Sequence, residues 1–289
     1  MTKIISFINL KGGVGKTTTT LAIAEFLAEQ EQQRVLVIDL DPQTNATISL
    51  IEEGEWQKLD AAGQTIQQLF RDKLEKTAVF DIQKAIISGV SNLSIKNLSL
   101  LPSSLGLIDI QDQLALIPGG SFYATSPVDL LKMALQPVMN DYDYILIDCP
   151  PNLGIITLNG INISQGYVIP TIPDILSTYG IPQILNRVEA FSKEKGITIN
   201  PVGILITKYR KQTGLHVSKL FELRSAAKLG ELPPIFDSVI PEATGIAESV
   251  DINAIVNNLK QKYGYGQNSN LYSQLAKEFI EKCQLIGSI

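Results

Sequence analysis

The segment NLKGGVGKTTTT, residues 9–20, joins an apolar run to a helical pattern through a glycine-rich loop. The preceding run KIISFIN, residues 3–9, is short and rich in β-branched residues, which predicts a strand. Apolar residues recur at helical spacing over residues 17–29, which predicts a helix. A glycine loop in this setting can bind phosphate through its backbone N–H groups and direct the helix N-terminus at the anion. The sequence therefore predicts a phosphate-binding loop at the end of a strand.

This loop fits the pattern GxxxxGK[ST] at every position but the first, where Leu10 or Lys11 replaces the glycine. We expect Lys16 to reach the β and γ phosphates of a nucleotide and the Thr17 hydroxyl to ligate Mg²⁺. Thr18 follows at a position suited to the α phosphate. A plain strand-to-helix turn would not explain the Lys-Thr pair. The backbone positions expected to hold the phosphates are Gly12, Gly13, Val14 and Gly15.

Three carboxylates end two further apolar runs. Asp148 closes YDYILID and is followed by CPP, which is the arrangement of a Walker B aspartate that holds Mg²⁺. Asp39 and Asp41 close the run RVLVIDLD. The carboxyl ends of strands in open α/β sheets face the ligand crevice, so all three are expected beside the phosphate loop. The alternative for each aspartate is a cap on the helix that follows it.

The remaining chain alternates apolar runs with helical patterns, which predicts a doubly wound, mostly parallel α/β sheet with helices on both faces. Residues 52–95 are polar and weakly patterned, so we expect short helices on the rim there. No repeat or linker interrupts the chain, and we predict a single domain over residues 1–289. The further strands are predicted at 34–40, 98–101, 144–148, 167–170, 202–207 and 235–240, and the further helices at 127–139 (opened by Ser126), 181–195, 215–229 and 271–283.

Composition narrows the class of protein. The chain is 45% hydrophobic, which suffices for a buried core, and its apolar runs are far shorter than the roughly 20 residues of a membrane span. Its opening lacks the pattern of an export signal, so we predict a cytoplasmic protein without a membrane association. Cys149 and Cys283 form no metal-binding or disulfide pattern. The single histidine, His216, is predicted to be a surface residue. A net charge of -5 gives no global reason for nucleic-acid binding, which would need a local patch.

Five quoted segments together resemble the deviant Walker A ATPases, and within them the ParA/Soj partition proteins. The resemblance covers nearly all of the chain and is weakest at residues 52–95. It implies one doubly wound domain that binds ATP and Mg²⁺, forms an ATP-sandwiched homodimer and hydrolyses ATP to ADP and phosphate. The segments are KGGVGKTTTT, VIDLDPQTNAT, YDYILIDCPPNLGIITLNGI, LLPSSLGLIDIQDQL for the third-strand region and LYSQLAKEFIEK for the C-terminal helix.

The resemblance also implies a role for each lysine of the loop. Lys11 matches the signature lysine, which contacts the partner's nucleotide across the dimer, whereas Lys16 serves the nucleotide of its own subunit. A cation delivered only on dimerisation would couple hydrolysis to assembly. Asp41 matches the residue that orients the attacking water, and Asp39 the neighbouring carboxylate near Mg²⁺.

The resemblance also implies roles for two other regions of the chain. The segment 150–154 matches the switch that senses the γ phosphate, and the base is expected near Thr207 and Pro241. After that strand the family has an aspartate where this chain has Arg210 and Lys211, which weakens the assignment of the base site.

Partition activity implies that the ATP-bound dimer binds double-stranded DNA without sequence preference and is stimulated by a ParB-like partner or a cargo adaptor. Residues 208–228 carry six cations against Glu222 alone, and we predict that they contact DNA on the nucleoid; the alternatives are a solvated face there and a second basic pair, Lys260 and Lys262. The six cations are Lys208, Arg210, Lys211, Lys219, Arg224 and Lys228.

Other members of the superfamily remain alternatives. A positioning ATPase for a protein cargo, such as a carboxysome or chemoreceptor cluster, would use the same chemistry. A MinD-like protein would need a basic amphipathic C-terminus, which EFIEKCQLIGSI does not provide. A metabolic ATP-dependent ligase is less expected, because such relatives usually lack the signature lysine, and iron–sulfur relatives need cluster cysteines that are absent from this sequence.

Overall fold

The computed structural model describes residues 1–115, 126–242, 249 and 251–286. The strands are β1 (Lys3–Phe7), β2 (Val35–Asp39), β3 (Ile87–Ser88), β4 (Leu98–Leu101), β5 (Tyr144–Asp148), β6 (Gly166–Thr171), β7 (Asn200–Tyr209) and β8 (Ile235–Pro241). The helices are α1 (Lys16–Glu29), α2 (Asn45–Leu50), α3 (Glu53–Ala61), α4 (Ile66–Glu75), α5 (Ile82–Ala85), α6 (Leu107–Ala115), α7 (Leu130–Leu135), α8 (Ile155–Ile163), α9 (Ile175–Tyr179), α10 (Ile181–Lys195), α11 (Gly214–Lys228), α12 (Leu259–Lys262) and α13 (Gln267–Leu285).

The eight strands form one sheet in the order β3-β4-β2-β5-β1-β6-β7-β8. All neighbouring pairs are parallel except β3 and β4, which are antiparallel. The predicted doubly wound, mostly parallel α/β fold is therefore confirmed. The single sheet supports the predicted single domain, which itself remains a prediction for the whole chain.

Both faces of the sheet are covered, which explains the continuous apolar runs. Successive residues of a strand point to opposite faces, so Ile5 and Phe7 of β1 enter one core while Ile4 and Ile8 enter the other. The first core lies under α1 and α13 and the second under α8 and α10. Every residue of β2 and β5 is buried.

The register of the central strands brings the candidate residues together. Asp148, the last residue of β5, is paired with Asp39 on β2 and with Phe7 on β1. The glycine loop follows β1, so it begins beside the end of β5. The sheet topology therefore gathers the phosphate loop and the carboxylates at one edge, as the strand-end argument predicts.

The predicted helix over 127–139 is wrong in its extent. The helix α7 covers only Leu130–Leu135, its N-cap is Asp129 rather than Ser126, and a 3₁₀ turn follows at Met139–Asp141. The reason is a pair of asparagines on α8. Asn159 donates to the Pro127 carbonyl and Asn162 to the Val128 carbonyl, so side chains satisfy the groups that a longer helix would have used.

The prediction of a surface histidine is also wrong. His216 lies in the first turn of α11 and is buried. Its Nδ1 accepts a hydrogen bond of 3.1 Å from the backbone N–H of Arg210, and its ring packs against Tyr209. The histidine thus ties the turn after β7 to the helix. Residues 52–95 contain three short helices, as predicted, and also the edge strand β3, which was missed.

In the described ranges, no helix combines the length and the apolar character that crossing a bilayer requires.

Candidate nucleotide-binding site

The loop between β1 and α1 has a backbone that only glycine adopts easily at two positions. Gly13 has a φ of 73° and Gly15 a φ of 83°, both in the left-handed region. Thr207, near the end of β7, supports the loop, because its hydroxyl donates to the Val14 carbonyl at 2.7 Å. Gly15 is the N-cap of α1, so the free N–H groups of the helix start where the loop ends.

Lys16 is almost fully buried, with 6% of the residue exposed. Burial lowers the pKa of its ammonium group, although Asp148 and Asp41 raise it. Its Nζ donates only to the Lys11 carbonyl, at 3.3 Å, among the contacts described for it. A buried cation with one weak partner is a site for an anion, because an added negative charge would offset its desolvation. The predicted phosphate role of Lys16 fits this position.

Thr17 and Asp148 are in contact, as the predicted magnesium site requires. The Thr17 hydroxyl donates to Asp148 Oδ2 at 2.6 Å. Asp148 Oδ1 is buried and has no hydrogen-bond partner within the described residues. Burial raises the pKa of Asp148 to about 7, while the Thr17 hydrogen bond and Lys16 act to lower it. An unpartnered carboxylate oxygen beside a hydroxyl is what a hard cation with oxygen ligands requires.

The residues present therefore fit Mg²⁺ held by Thr17 and Asp148 together with nucleotide phosphates. No cluster of three metal-binding side chains occurs among the residues that the structure describes. Magnesium is usually held by one or two carboxylates plus phosphates rather than by a protein cage.

Asp39 is more constrained than the prediction of a metal ligand suggests. Its Oδ1 accepts the backbone N–H of Asp41, and its Oδ2 accepts both the N–H and the hydroxyl of Thr47. Burial first, and then Asp148, raise the pKa of Asp39 well above its ordinary value. Both oxygens of Asp39 are thus in use within the protein, and its direct contact with Mg²⁺ stays a prediction.

Asp41 lines the cleft in front of the phosphate loop, where the predicted orientation of a water molecule would place it. Only 8% of the residue is exposed. Its Oδ1 accepts the backbone N–H of Gln43 at 3.0 Å.

Lys11 does not point freely toward a partner subunit. Its Nζ lies 3.1 Å from Asp174 Oδ2 and 3.0 Å from the Ser177 hydroxyl. Asp174 is also the N-cap of α9, where its side chain accepts the N–H of Ser177. The loop lysine is therefore bound to the start of α9 in this single chain.

A cleft of about 860 Å³ opens from the phosphate loop. Its walls include three residues or segments that the sequence analysis did not assign to the nucleotide: Trp56, Lys208 and residues 251–253. Lys208 directly follows the buried part of β7 and has a left-handed φ of 48°, which is uncommon for a residue other than glycine. Its place at a strand end is the signal that could have identified it. No pattern in the sequence marks residues 251–253 or Trp56.

The predicted base-site residues do not lie together on this cleft. Thr207 is buried beneath the loop, where its hydroxyl is already bonded to Val14. Pro241 ends β8, just before residues 243–248, which lie outside the described part of the chain. A contact between adenine and either residue stays a prediction.

The six predicted DNA-contacting cations separate into three groups. Arg210 forms an ion pair with Glu242, and Lys219 forms one with Glu222. Lys208 is exposed at the nucleotide cleft. The others are exposed, and no ion pair is described for them: Lys211, Arg224 and Lys228.

Comparison with known proteins identifies relatives of the chain. A family model described as "AAA domain" matches residues 2–200. The sporulation initiation inhibitor protein Soj of Bacillus subtilis (strain 168) is 33% identical over 251 residues, which cover 86% of this chain and 88% of Soj.

Solved structures share the fold over almost the whole length. A crystal structure of cobyrinic acid a,c-diamide synthase from Mycobacterium smegmatis, with bound ADP and magnesium, has a TM-score of 0.73 and 26% identity. The match covers 98% of this chain and 96% of that one. The ATP complex of a McdA variant from Cyanothece has a TM-score of 0.74 and 23% identity, over 97% of this chain and 96% of that one. The likeness to McdA shows the fold alone.

Proposed function

The chain belongs to the AAA domain family as a relative of the ParA and Soj partition proteins, and we propose that it is a magnesium-dependent ATPase that moves DNA. The observation that carries the proposal is the buried, unpartnered Oδ1 of Asp148 beside the Thr17 hydroxyl and the phosphate loop. Lys16 and the loop N–H groups bind the phosphates of ATP. Thr17 and Asp148 hold Mg²⁺, which would neutralise charge on the phosphoryl oxygens. Asp41 orients the attacking water.

In the proposed cycle, ATP binding produces a homodimer. Lys11 then leaves Asp174 and binds a phosphate of the other subunit's nucleotide. The ion pair between Lys11 and Asp174 is partly exposed, with 36% and 25% of the two side chains accessible. Pairs of that kind contribute about 0–1 kcal/mol, so a phosphate offered by a second subunit can replace Asp174 at little cost. The nucleotide of one protomer would thus be completed by the lysine of its partner.

In the proposed cycle, the ATP-bound dimer binds DNA through exposed cations of residues 208–228. The supporting observation is the exposure of Lys211, Arg224 and Lys228 without described ion pairs, in a chain whose net charge is -5. Phosphate contacts by such cations carry no sequence preference. We propose that the protein is cytoplasmic and nucleoid-associated and that a ParB-like partner or a cargo adaptor stimulates hydrolysis.

The variant Asp41→Ala tests the catalytic part of the cycle. We expect ATP affinity close to that of the wild type and hydrolysis slower by about a hundredfold, because the water is no longer oriented. Phosphate release at saturating ATP and nucleotide titration measure the two quantities. The control is Asp237→Ala, which removes an exposed carboxylate on β8. Equal rates for both variants would show that Asp41 does not act on the water.

A second candidate function is a metabolic ATP-dependent ligase, which the similarity to a protein named cobyrinic acid a,c-diamide synthase favours. The two functions differ in what stimulates ATP consumption. Turnover that rises with duplex DNA and a DNA-bound partner supports partition or cargo positioning. Turnover that rises with a small acid and an amine donor, and ignores DNA, supports the ligase.

A further inference from the structure

We propose that Thr47 and Ser103 are positioning residues for Asp41. Their hydroxyl and backbone groups hold the backbone of Asp41 in place through hydrogen bonds, Ser103 directly and Thr47 through Asp39. This inference rests on the proposed role of Asp41 in ATP hydrolysis. It assigns a function to a threonine of α2 and to a serine in the loop after β4. The sequence patterns do not place either residue at the phosphates.

Asp39 is the centre of the arrangement. One carboxylate oxygen, Oδ1, accepts the N–H of Asp41 at 3.0 Å. The other oxygen, Oδ2, accepts the N–H of Thr47 at 2.9 Å and its hydroxyl at 2.7 Å. The end of β2, the turn that carries Asp41 and the helix α2 are thus joined through one buried side chain.

Ser103, in the loop after the neighbouring strand β4, completes the arrangement. Its N–H donates to the Thr47 hydroxyl at 2.9 Å, and its own hydroxyl donates to the Asp41 carbonyl at 2.8 Å. The Asp41 carbonyl also accepts the N–H of Thr44 at 2.9 Å. Both peptide groups of Asp41 are therefore held, the N–H by Asp39 and the carbonyl by Ser103 and Thr44.

The burial of these groups makes the arrangement rigid. Asp39, Thr47 and Ser103 are each 0% exposed, and Asp41 is 8% exposed at the cleft. Inside the protein a hydrogen bond is electrostatically stronger than in water, and burial removes the competing water. A side chain that orients a reacting water must be held to within about 0.5 Å. A displacement of about 1 Å can slow a reaction by about a hundredfold.

The primary test is Ser103→Ala, with Ser104→Ala as its matched control. Ser104 is the next residue and equally buried, but its hydroxyl donates to Gln67 and not to Asp41. We expect Ser103→Ala to lower kcat for ATP hydrolysis by about tenfold, with the KM and the ATP affinity within about twofold of the wild type. Ser104→Ala should leave kcat unchanged. Equal kcat values for the two variants would overturn the inference.

Thr47 is tested by Thr47→Val and by the conservative Thr47→Ser. The valine removes the hydroxyl that both donates to Asp39 and accepts from Ser103, whereas the serine keeps it. We expect kcat to fall by about tenfold with valine and to recover with serine. A serine variant as slow as the valine variant would contradict the role of the hydroxyl.

Two further readouts separate positioning from general destabilisation. In an Asp41→Ala background, Ser103→Ala should cause no additional loss of kcat, because it acts through Asp41; an additional tenfold loss would overturn the inference. Amide hydrogen exchange of the 39–47 segment without nucleotide should be faster in Ser103→Ala than in Ser104→Ala. Equal exchange would also overturn it. If the wild type hydrolyses no ATP, the proposed function fails, and the exchange comparison still decides whether Ser103 holds the Asp41 turn.

Discussion

Asp148 is the residue whose environment gives the clearest test of the site. Burial raises its pKa to about 7 from the ordinary value of 3.8. The folded, magnesium-free protein therefore binds this proton more tightly than the unfolded chain does. The stabilisation that the protonated Asp148 contributes is fully present below about pH 4 and is lost as the pH rises toward 7. An asparagine keeps the shape and cannot ionise.

We predict that Asp148→Asn has a higher free energy of unfolding than the wild type, by about 1–4 kcal/mol, at pH 8 in EDTA and without nucleotide. Denaturant unfolding measures this difference. At pH 4 the two proteins should be closer in stability. Adding Mg²⁺ with ATP should stabilise the wild type and not the variant. A variant that is less stable than the wild type at pH 8 would contradict the unfavourable burial of the charge.

The chemistry of single residues was predictable where spacing and strand ends determine it. Lys16, Thr17 and Asp148 come together as predicted, since the glycine motif and the apolar runs define the loop and the ends of β1 and β5. The base site was not predictable in the same way. Thr207 supports the loop, and the cleft is lined by residues 251–253, which the chain brings back from a distant part of the sequence.

At the scale of elements, a buried ion pair joins α1 to α12. Lys262 Nζ lies 2.7 Å from Glu25, and the two side chains are 3% and 0% exposed. Glu25 also accepts hydrogen bonds from Tyr263 and Ser91. Lys262 is therefore unavailable to DNA. Of the alternative basic pair Lys260 and Lys262, the prediction for Lys262 is wrong.

We predict that Lys262→Met lowers the free energy of unfolding by about 3–5 kcal/mol, because it leaves Glu25 charged, buried and without its cation. The double variant Glu25→Gln with Lys262→Met should regain part of that loss. Lys260→Met, an exposed position on the same helix, is the control and should change stability by less than about 0.5 kcal/mol. Denaturant unfolding measures all three. A Lys262→Met protein as stable as the control would argue against a charged pair.

The helix α11 carries the prediction about DNA. Arg224 and Lys228 are exposed and four residues apart, so they lie on one face of the helix. Changing both to Glu should weaken ATP-dependent DNA binding equally for all sequences and reduce the logarithmic salt slope by about two. The control with the same change of charge is Lys58→Glu with Arg71→Glu, exposed on α3 and α4. Equal losses in the two double variants would indicate an effect of net charge alone.

The elements themselves were largely predictable, and the failures have local causes. The apolar runs of β2 and β5 identified buried parallel strands, because such strands contact helices on both faces. The extent of α7 was overestimated because the carbonyls of Pro127 and Val128, just before it, accept hydrogen bonds from asparagines that lie some thirty residues away in the sequence. The edge strand β3 is only two residues long and has no pattern to detect.

For the whole molecule, the family and the fold were predicted correctly from motifs spread along the chain. The state of Lys11 was not predictable, since its partner Asp174 is the N-cap of α9 and no motif links the two. The structure shows one chain in which the loop lysine is bound internally. We propose that ATP converts this chain into a dimer in which Lys11 serves the second nucleotide.

Light scattering of the Asp41→Ala protein with ATP, ADP or no nucleotide measures this dimerisation. Slow hydrolysis keeps ATP bound, so we predict a mass twice that of one chain with ATP and the mass of one chain in the other two conditions. Lys16→Ala, which removes the phosphate cation at a loss of about 3 kcal/mol or more in nucleotide binding, should remain a monomer throughout. A monomer with saturating ATP, or a dimer that forms equally well without nucleotide, would contradict ATP-dependent dimerisation.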